Sequence, residues 1–260
     1  MSDFYAEQSN QEKYVKSIVP GVAYVESGKT VHYNEIPKWR TISIRYNVPV
    51  ADETYTLANF DANEENPVTF SNWREYIKSI SINGNVVEPI GYRNFISYHF
   101  SATGIYDIEF KMVGDTVPYY FLNGYRSYPE QAGETEIHLS SGFTKLLGAN
   151  IDSFDFLTAV TIPEGITAIA SGASFCNNYS LTSITFPSTL QIISSNNGDF
   201  LCNNINLSEI TCLSSTAPTL PDDFYDFRHL ATVGTLYYPA GSDYSTWLEK
   251  LPSGWTGVEI

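Results

Sequence analysis

The sequence predicts a mainly β protein with an N-terminal arm and hairpin, a small antiparallel β-sandwich and a short repeat β-solenoid. Three observations lead to this prediction. One apolar pattern recurs about four times between residues 134 and 229, at a period of about two dozen residues. Short alternating segments separated by turn residues fill the stretch before it. Aromatic residues make up 15% of the chain, with 19 tyrosines, and β-rich proteins favour such residues.

The first 17 residues are polar and too poor in apolar side chains to form a core. Their sparse aromatic residues are therefore interpreted as parts of an attachment arm that a partner subunit holds in place. The aromatic residues of this arm are Phe4, Tyr5 and Tyr14.

A β-hairpin is predicted to follow the arm. Apolar residues alternate with polar ones on both sides of the Ser27-Gly28 pair, which has the composition of a tight turn. We assign residues 1–40 to the arm and hairpin together.

Residues 41–114 are predicted to form the β-sandwich. Alternating apolar residues indicate several strands, and the Asn83-Gly84 pair is a strong hairpin signal. Several antiparallel strands at this spacing favour two packed sheets. The predicted strands cover residues 42–48, 77–82, 95–100 and 105–112.

Residues 115–260 are predicted to form the solenoid and its C-terminal cap. A repeat of this size cannot bury its apolar face alone, so neighbouring copies must stack. The clearest copies begin at Leu157 and Leu181, and the segment from Glu134 fits the same frame with Ile137 and Leu139. The residues expected to point inward are Leu157, Val160, Ile162, Leu181, Ile184 and Phe186.

Each clear copy also contains a Cys-Asn-Asn turn, at residues 176–178 and 202–204. Stacked asparagines at equivalent turns are expected to satisfy backbone groups that no sheet partner reaches, which is a structural role. The three cysteines, Cys176, Cys202 and Cys212, are interpreted as small buried residues, with no disulfide framework.

The repeat resembles the BspA-like class of leucine-rich repeats, through its Leu-x-x-Ile/Val-x-Ile/Phe-Pro pattern followed by a Cys-containing turn. The stretch before it resembles the immunoglobulin-like module that often precedes such repeats. The class is known from cell-surface adhesins of anaerobic bacteria and from virion proteins of the phages that infect them. The resemblance therefore implies a leucine-rich-repeat solenoid and a role in recognition.

Charge and motif content exclude several classes of function. The formal net charge of −15 disfavours nucleic acid and acidic membrane surfaces as partners. No run is long and apolar enough to span a bilayer. The four histidines have no metal-ligand spacing, and no catalytic motif accompanies the serines or carboxylates, so neither an enzyme, a metal nor a cofactor is expected.

The last, degenerate repeat contains the candidate binding residues. A mixture of aromatic residues with arginine is typical of interface centres, and the alternative is that these aromatics cap the open end of the solenoid. The capping role is the favoured alternative. The candidates are Phe224, Tyr225, Phe227, Arg228 and His229.

We expect a non-enzymatic interaction protein that belongs to a larger assembly. Because the start of the sequence has no apolar export segment, a phage virion accessory such as a fibre, decoration or adhesion subunit is favoured. A bacterial surface adhesin is the first alternative, and a carbohydrate-binding or carbohydrate-processing protein is the second. The expected partner is a protein in a virion or on a cell surface, with a host glycan as a further candidate.

Overall fold

The computed structural model describes residues 23–26, 29–32, 39–59, 72–92, 95–118, 121–123, 133–148, 150–170, 174–194, 199–221, 224 and 227–260. The chain divides into two compact units, residues 1–38 and 39–260. In the first unit, β1 (Ala23–Glu26) and β2 (Lys29–His32) pair antiparallel, which confirms the predicted hairpin. The predicted arm residues Phe4, Tyr5 and Tyr14 lie outside the described residues.

The second unit begins with an antiparallel β-sandwich, as predicted. Its strands are β3 (Trp39–Val48), β4 (Glu53–Asn59), β5 (Ile77–Ile82), β6 (Asn85–Val87), β7 (Ile90–Tyr92), β8 (Phe95–Phe100), β9 (Gly104–Val113) and, further along the chain, β11 (Gly133–Leu139). One sheet has five strands in the order β11-β3-β9-β5-β6, and the other has three in the order β4-β8-β7.

Alternation along these strands builds the sandwich core. In β3, every second residue from Ile42 to Val48 is buried, because successive side chains of a strand point to opposite faces. Tyr46, Tyr55 and Phe100 meet in the middle of the core with ring centroids 5.8 to 6.4 Å apart. The polar faces of the same strands remain on the surface.

Strand β11 is the main departure from the predicted repeat pattern. The sequence places Ile137 and Leu139 in an early solenoid repeat, but β11 pairs antiparallel with β3 and completes the sandwich sheet. An alternation of apolar and polar residues predicts a half-buried strand without specifying its partner, and this is why the assignment was wrong.

The solenoid consists of about four turns and two parallel sheets. The strands are β10 (Thr116–Val117), β12 (Lys145–Leu146), β13 (Ala159–Thr161), β14 (Ala168–Ala170), β15 (Ser183–Phe186), β16 (Ile192–Ser194), β17 (Glu209–Cys212), β18 (Val233–Tyr238) and β19 (Gly254–Glu259). The strand order of one sheet is β10-β12-β14-β16, and that of the other is β13-β15-β17-β18-β19.

The predicted inward residues of the solenoid are all in the core. Leu157, Val160 and Ile162 of one turn lie beneath Leu181, Ile184 and Phe186 of the next, and all six are buried. Helix α1 (Ser245–Lys250) covers the C-terminal end, where its Trp247 is fully buried. The Trp247 indole N–H donates to the Pro218 carbonyl oxygen at 2.9 Å, so the ring closes the core without leaving its polar group unpaired.

Candidate interaction surface

Buried asparagines hold the turns of the solenoid together on one side. The Oδ1 atoms of Asn150, Asn178 and Asn204 each accept a hydrogen bond from a backbone N–H of the preceding turn, at 2.8 to 3.0 Å. Their Nδ2 groups donate to backbone carbonyls, including that of Ile151 for Asn178 and that of Phe175 for Asn204. This pattern confirms the structural role predicted for the stacked asparagines.

A second set of polar side chains stacks beside the buried asparagines and is half exposed. Asn177 Nδ2 donates to Asp152 Oδ1 at 3.0 Å, and Asn203 Nδ2 donates to Asn177 Oδ1 at 2.9 Å. His229 Nδ1 lies 2.6 Å from Asn203 Oδ1. Equivalent residues of parallel neighbouring strands are about 4.8 Å apart, which is the spacing an amide needs to reach the next turn. The result is one directional ladder from His229 to Asp152.

The ladder determines the proton position on His229. Asn203 uses its Nδ2 as the donor toward Asn177, so its Oδ1 can only accept. The hydrogen-bond network therefore assigns a proton to Nδ1 of His229 and leaves Nε2 for solvent or a ligand. His229 is the last residue of the ladder, and its imidazole is exposed. The hydrogen bond to Asn203 fixes the orientation of this ring.

Two large apolar side chains flank the ladder on successive turns. Tyr179 is 48% exposed and Ile205 is 56% exposed, and each follows a buried asparagine by one residue. Together with Asn177, Asn203 and His229 they form what we call the turn ridge. Tyr179 and Ile205 were not among the predicted binding residues, although both directly follow a Cys-Asn-Asn motif in the sequence.

The structure separates the five predicted binding residues. Phe224 and Phe227 are only 2% exposed, and their ring centroids are 4.8 Å apart in the core, as the capping alternative requires. Arg228 and His229 are exposed, and Arg228 forms an ion pair with Asp199 at 3.9 Å. Tyr225 lies outside the described residues. Phe224 and Phe227 thus belong to the core, while His229 lies on the turn ridge.

Asp152 carries a carboxylate at the buried end of the ladder, where it is 6% exposed. Burial raises the pKa of Asp152 to about 6, because desolvation disfavours the charged form. Hydrogen bonds from Ser153, Asn177 and Asn123 act in the opposite direction and only partly offset this effect on the pKa.

A disulfide joins Cys176 to Cys202, so the expectation of no disulfide was wrong. The two residues occupy the same position in successive turns, and their Cα atoms are 4.6 Å apart. Stacked turns thus bring equivalent residues within the distance range that a disulfide requires. Each of the two cysteines begins a Cys-Asn-Asn motif at the same position of its repeat, so the sequence already indicated that they could pair. Cys212 is free and buried, which raises the pKa of its thiol to about 12.

The described residues contain neither a metal-binding cluster nor a membrane-spanning helix. Across these parts of the chain, no group of three or more His, Cys, Asp or Glu side chains could hold a metal ion. Over the same ranges, no helix is long and apolar enough to cross a membrane.

Comparison of this chain with family models, with curated proteins and with solved structures gave no match.

Proposed function

We propose that this protein is a non-enzymatic interaction protein and that its recognition surface is the turn ridge. The observation that carries the proposal is the combination of an oriented polar ladder with two exposed apolar side chains. Asn203 is bonded to Asn177 and Asn177 to Asp152, which fixes both amides, while the exposed Tyr179 and Ile205 lie two residues further along the same turns. Amides and aromatic residues in this combination are typical of surfaces that bind other molecules.

The fixed ladder lowers the cost of binding. A free asparagine or histidine loses rotamer freedom when it contacts a partner, at about 0.5–1.5 kcal/mol for each immobilised side chain. Asn177, Asn203 and His229 are already ordered, because each is bonded to the next turn. A partner at the turn ridge therefore gains contacts with little further ordering.

The proposal places the protein in a phage virion as an accessory subunit, such as a fibre, decoration or adhesion protein. The BspA-like repeat pattern supports this assignment, since the class includes virion proteins. The disulfide between Cys176 and Cys202 also supports it, because disulfides persist mainly outside the reducing cytoplasm. A partner that is neither nucleic acid nor an acidic membrane fits the net charge of −15.

A bacterial cell-surface adhesin is the second candidate, because the disulfide and the repeat pattern favour it equally. Both candidates use the turn ridge for recognition and differ in where the protein resides.

The location of the protein tests the proposed function. Mass spectrometry of purified phage particles and of surface fractions from the bacterial host should detect the chain in the particles, with the Cys176–Cys202 disulfide intact. Detection only in the host surface fraction would replace the virion assignment with the adhesin. Detection only in the cytoplasmic fraction, with all three cysteines reduced, would contradict both.

A further inference from the structure

The outer face of the five-stranded sandwich sheet contains a shallow depression. Its volume is about 300 Å³, close to the lower end of the range for small-molecule sites. The floor consists of short side chains, since serines stand where longer residues would fill the space. The polar lining consists of Ser43, Ser79, Ser81, Asp107, Glu109 and Lys111.

The strand register places a carboxylate between two hydroxyl groups in this depression. Glu109 of β9 lies directly opposite Ser43 of β3 and directly opposite Ser81 of β5. Residues paired directly across antiparallel strands project from the same face of the sheet. Lys111, two residues along β9, lies opposite Ser79 and projects from that face as well. Three hydroxyl groups, two carboxylates (Asp107 and Glu109) and the Lys111 ammonium group therefore meet on one surface.

Five side chains of the lining have no hydrogen-bond or ion-pair partner in the described part of the chain. They are Ser43, Ser79, Ser81, Glu109 and Lys111. The remaining charged group of the lining, Asp107, is instead paired with Arg45 at 3.7 Å, and Arg45 also contacts Glu136 at 3.2 Å. The five unpaired polar groups of the depression thus remain available for a ligand.

The chemistry of the lining selects the class of ligand. Glu109 disfavours an anion, Lys111 disfavours a cation, and the serine hydroxyls both donate and accept hydrogen bonds. Neighbouring hydroxyl groups of a sugar also do both, so they can satisfy the carboxylate, the ammonium group and the serines together. Val86 is 74% exposed at the edge of the depression and offers an apolar contact for the carbon face of a sugar ring.

We propose that this depression, centred on Glu109 between Ser43 and Ser81, is a binding site for a neutral sugar. The site is separate from the turn ridge and does not depend on the proposed location of the protein.

Titration of the full chain with neutral sugars, followed by NMR of the backbone amides, tests this site. The probes are glucose, galactose, mannose, N-acetylglucosamine and rhamnose, each up to several times a Kd of about 1 mM, the weak range typical of a shallow site. At least one sugar should shift the amide signals of Ser43, Ser81 and Glu109. Ser81→Val, which fills the depression, and Glu109→Gln, which removes the charge, should each weaken this binding at least tenfold.

The solenoid offers a matched control, because Ser183 lies directly opposite Glu209 on its exposed sheet without lining this depression. Ser183→Val should leave sugar binding unchanged. The unperturbed amide spectrum of each variant shows that it is folded. The proposal is overturned if none of the five sugars shifts these signals, or if Ser81→Val binds as well as the original chain.

Discussion

Division of the chain between Gly114 and Asp115 should abolish the folding of both halves. This position precedes the first solenoid strand, β10, but β11 lies beyond it and pairs with β3 of the sandwich. A fragment of residues 39–114 lacks this edge strand, and a fragment of residues 115–260 carries it without a partner. We therefore expect one cooperative unfolding transition for the intact chain and no native-like structure in either fragment.

The stability that the 39–114 fragment loses can be estimated from the contacts that the division removes. Ile137 and Leu139 of β11 are buried, and burying such a side chain stabilises a fold by about 1.5–3 kcal/mol. Phe121 also packs on Phe110 of β9, with ring centroids 5.1 Å apart. The loss of all three contacts is comparable with a whole domain stability of about 5–15 kcal/mol.

A longer fragment provides the control for this prediction. Residues 39–142 retain β11 and Phe121, so this fragment should show more protected amides in hydrogen exchange than residues 39–114 do. Circular dichroism and tryptophan fluorescence, measured together against urea, should give coincident curves for the full chain. A folded 39–114 fragment, or two separate transitions for the full chain, would show that the sandwich and solenoid are independent.

Replacement of Asp152 by asparagine should stabilise the protein at neutral pH. The buried carboxylate has a pKa raised from 3.8 to about 6, so its ionisation at pH 7 opposes folding. A rise of about two pKa units corresponds to at most about 3 kcal/mol, and therefore to an increase in Tm of at most about 6–12 °C for a protein of this size. An asparagine keeps an acceptor for Asn177 Nδ2, and its own Nδ2 can donate to Asn123 once that amide turns over.

The pH dependence of the unfolding free energy tests the role of Asp152 more directly than the stability at one pH does. A carboxyl group whose pKa is raised by folding contributes stability that is complete below its unfolded pKa of about 3.8. That contribution is lost as the pH rises through about 6. The difference in unfolding free energy between Asp152→Asn and the original chain should therefore be small near pH 4 and largest above pH 6.

Asp155→Asn is the control for this substitution. Asp155 lies on the same turn, and its side chain is exposed. The variant therefore removes one negative charge, as Asp152→Asn does, but that charge is not buried. Urea unfolding at several pH values should show almost no change for Asp155→Asn. An Asp152→Asn variant that is less stable at pH 7 would mean that the hydrogen bonds from Ser153, Asn177 and Asn123 outweigh the desolvation of the carboxylate.

Much of the fold was predictable, because the alternation of buried and exposed positions along a strand appears in the sequence as an alternation of apolar and polar residues. The strands predicted at residues 77–82 and 95–100 are β5 and β8 with the same bounds. The positive φ angles of Asn83 and Gly84 explain why that pair forms the predicted turn. Strand β4 was missed, and the pairing of β11 with β3 could not be predicted, because the choice of partner depends on packing between distant segments.

The candidate surface was less predictable. Aromatic composition alone drew attention to Phe224 and Phe227, yet aromatic residues fill cores as readily as they form interfaces. The turn ridge depends on which residues of successive turns stack, and that requires the register of the solenoid. Once the register is known, the position after each Cys-Asn-Asn motif identifies Tyr179 and Ile205.

Binding to intact cells of the bacterial host tests the role of the turn ridge most directly. Labelled full-length protein should bind these cells, and the double substitution Tyr179→Ala with Ile205→Ala should weaken binding at least tenfold, since buried interface anchors typically contribute about 2 kcal/mol or more. A control with Ile192→Ala and Val233→Ala truncates exposed apolar residues elsewhere on the solenoid and should bind normally. Equal binding by both double variants would contradict recognition through the turn ridge.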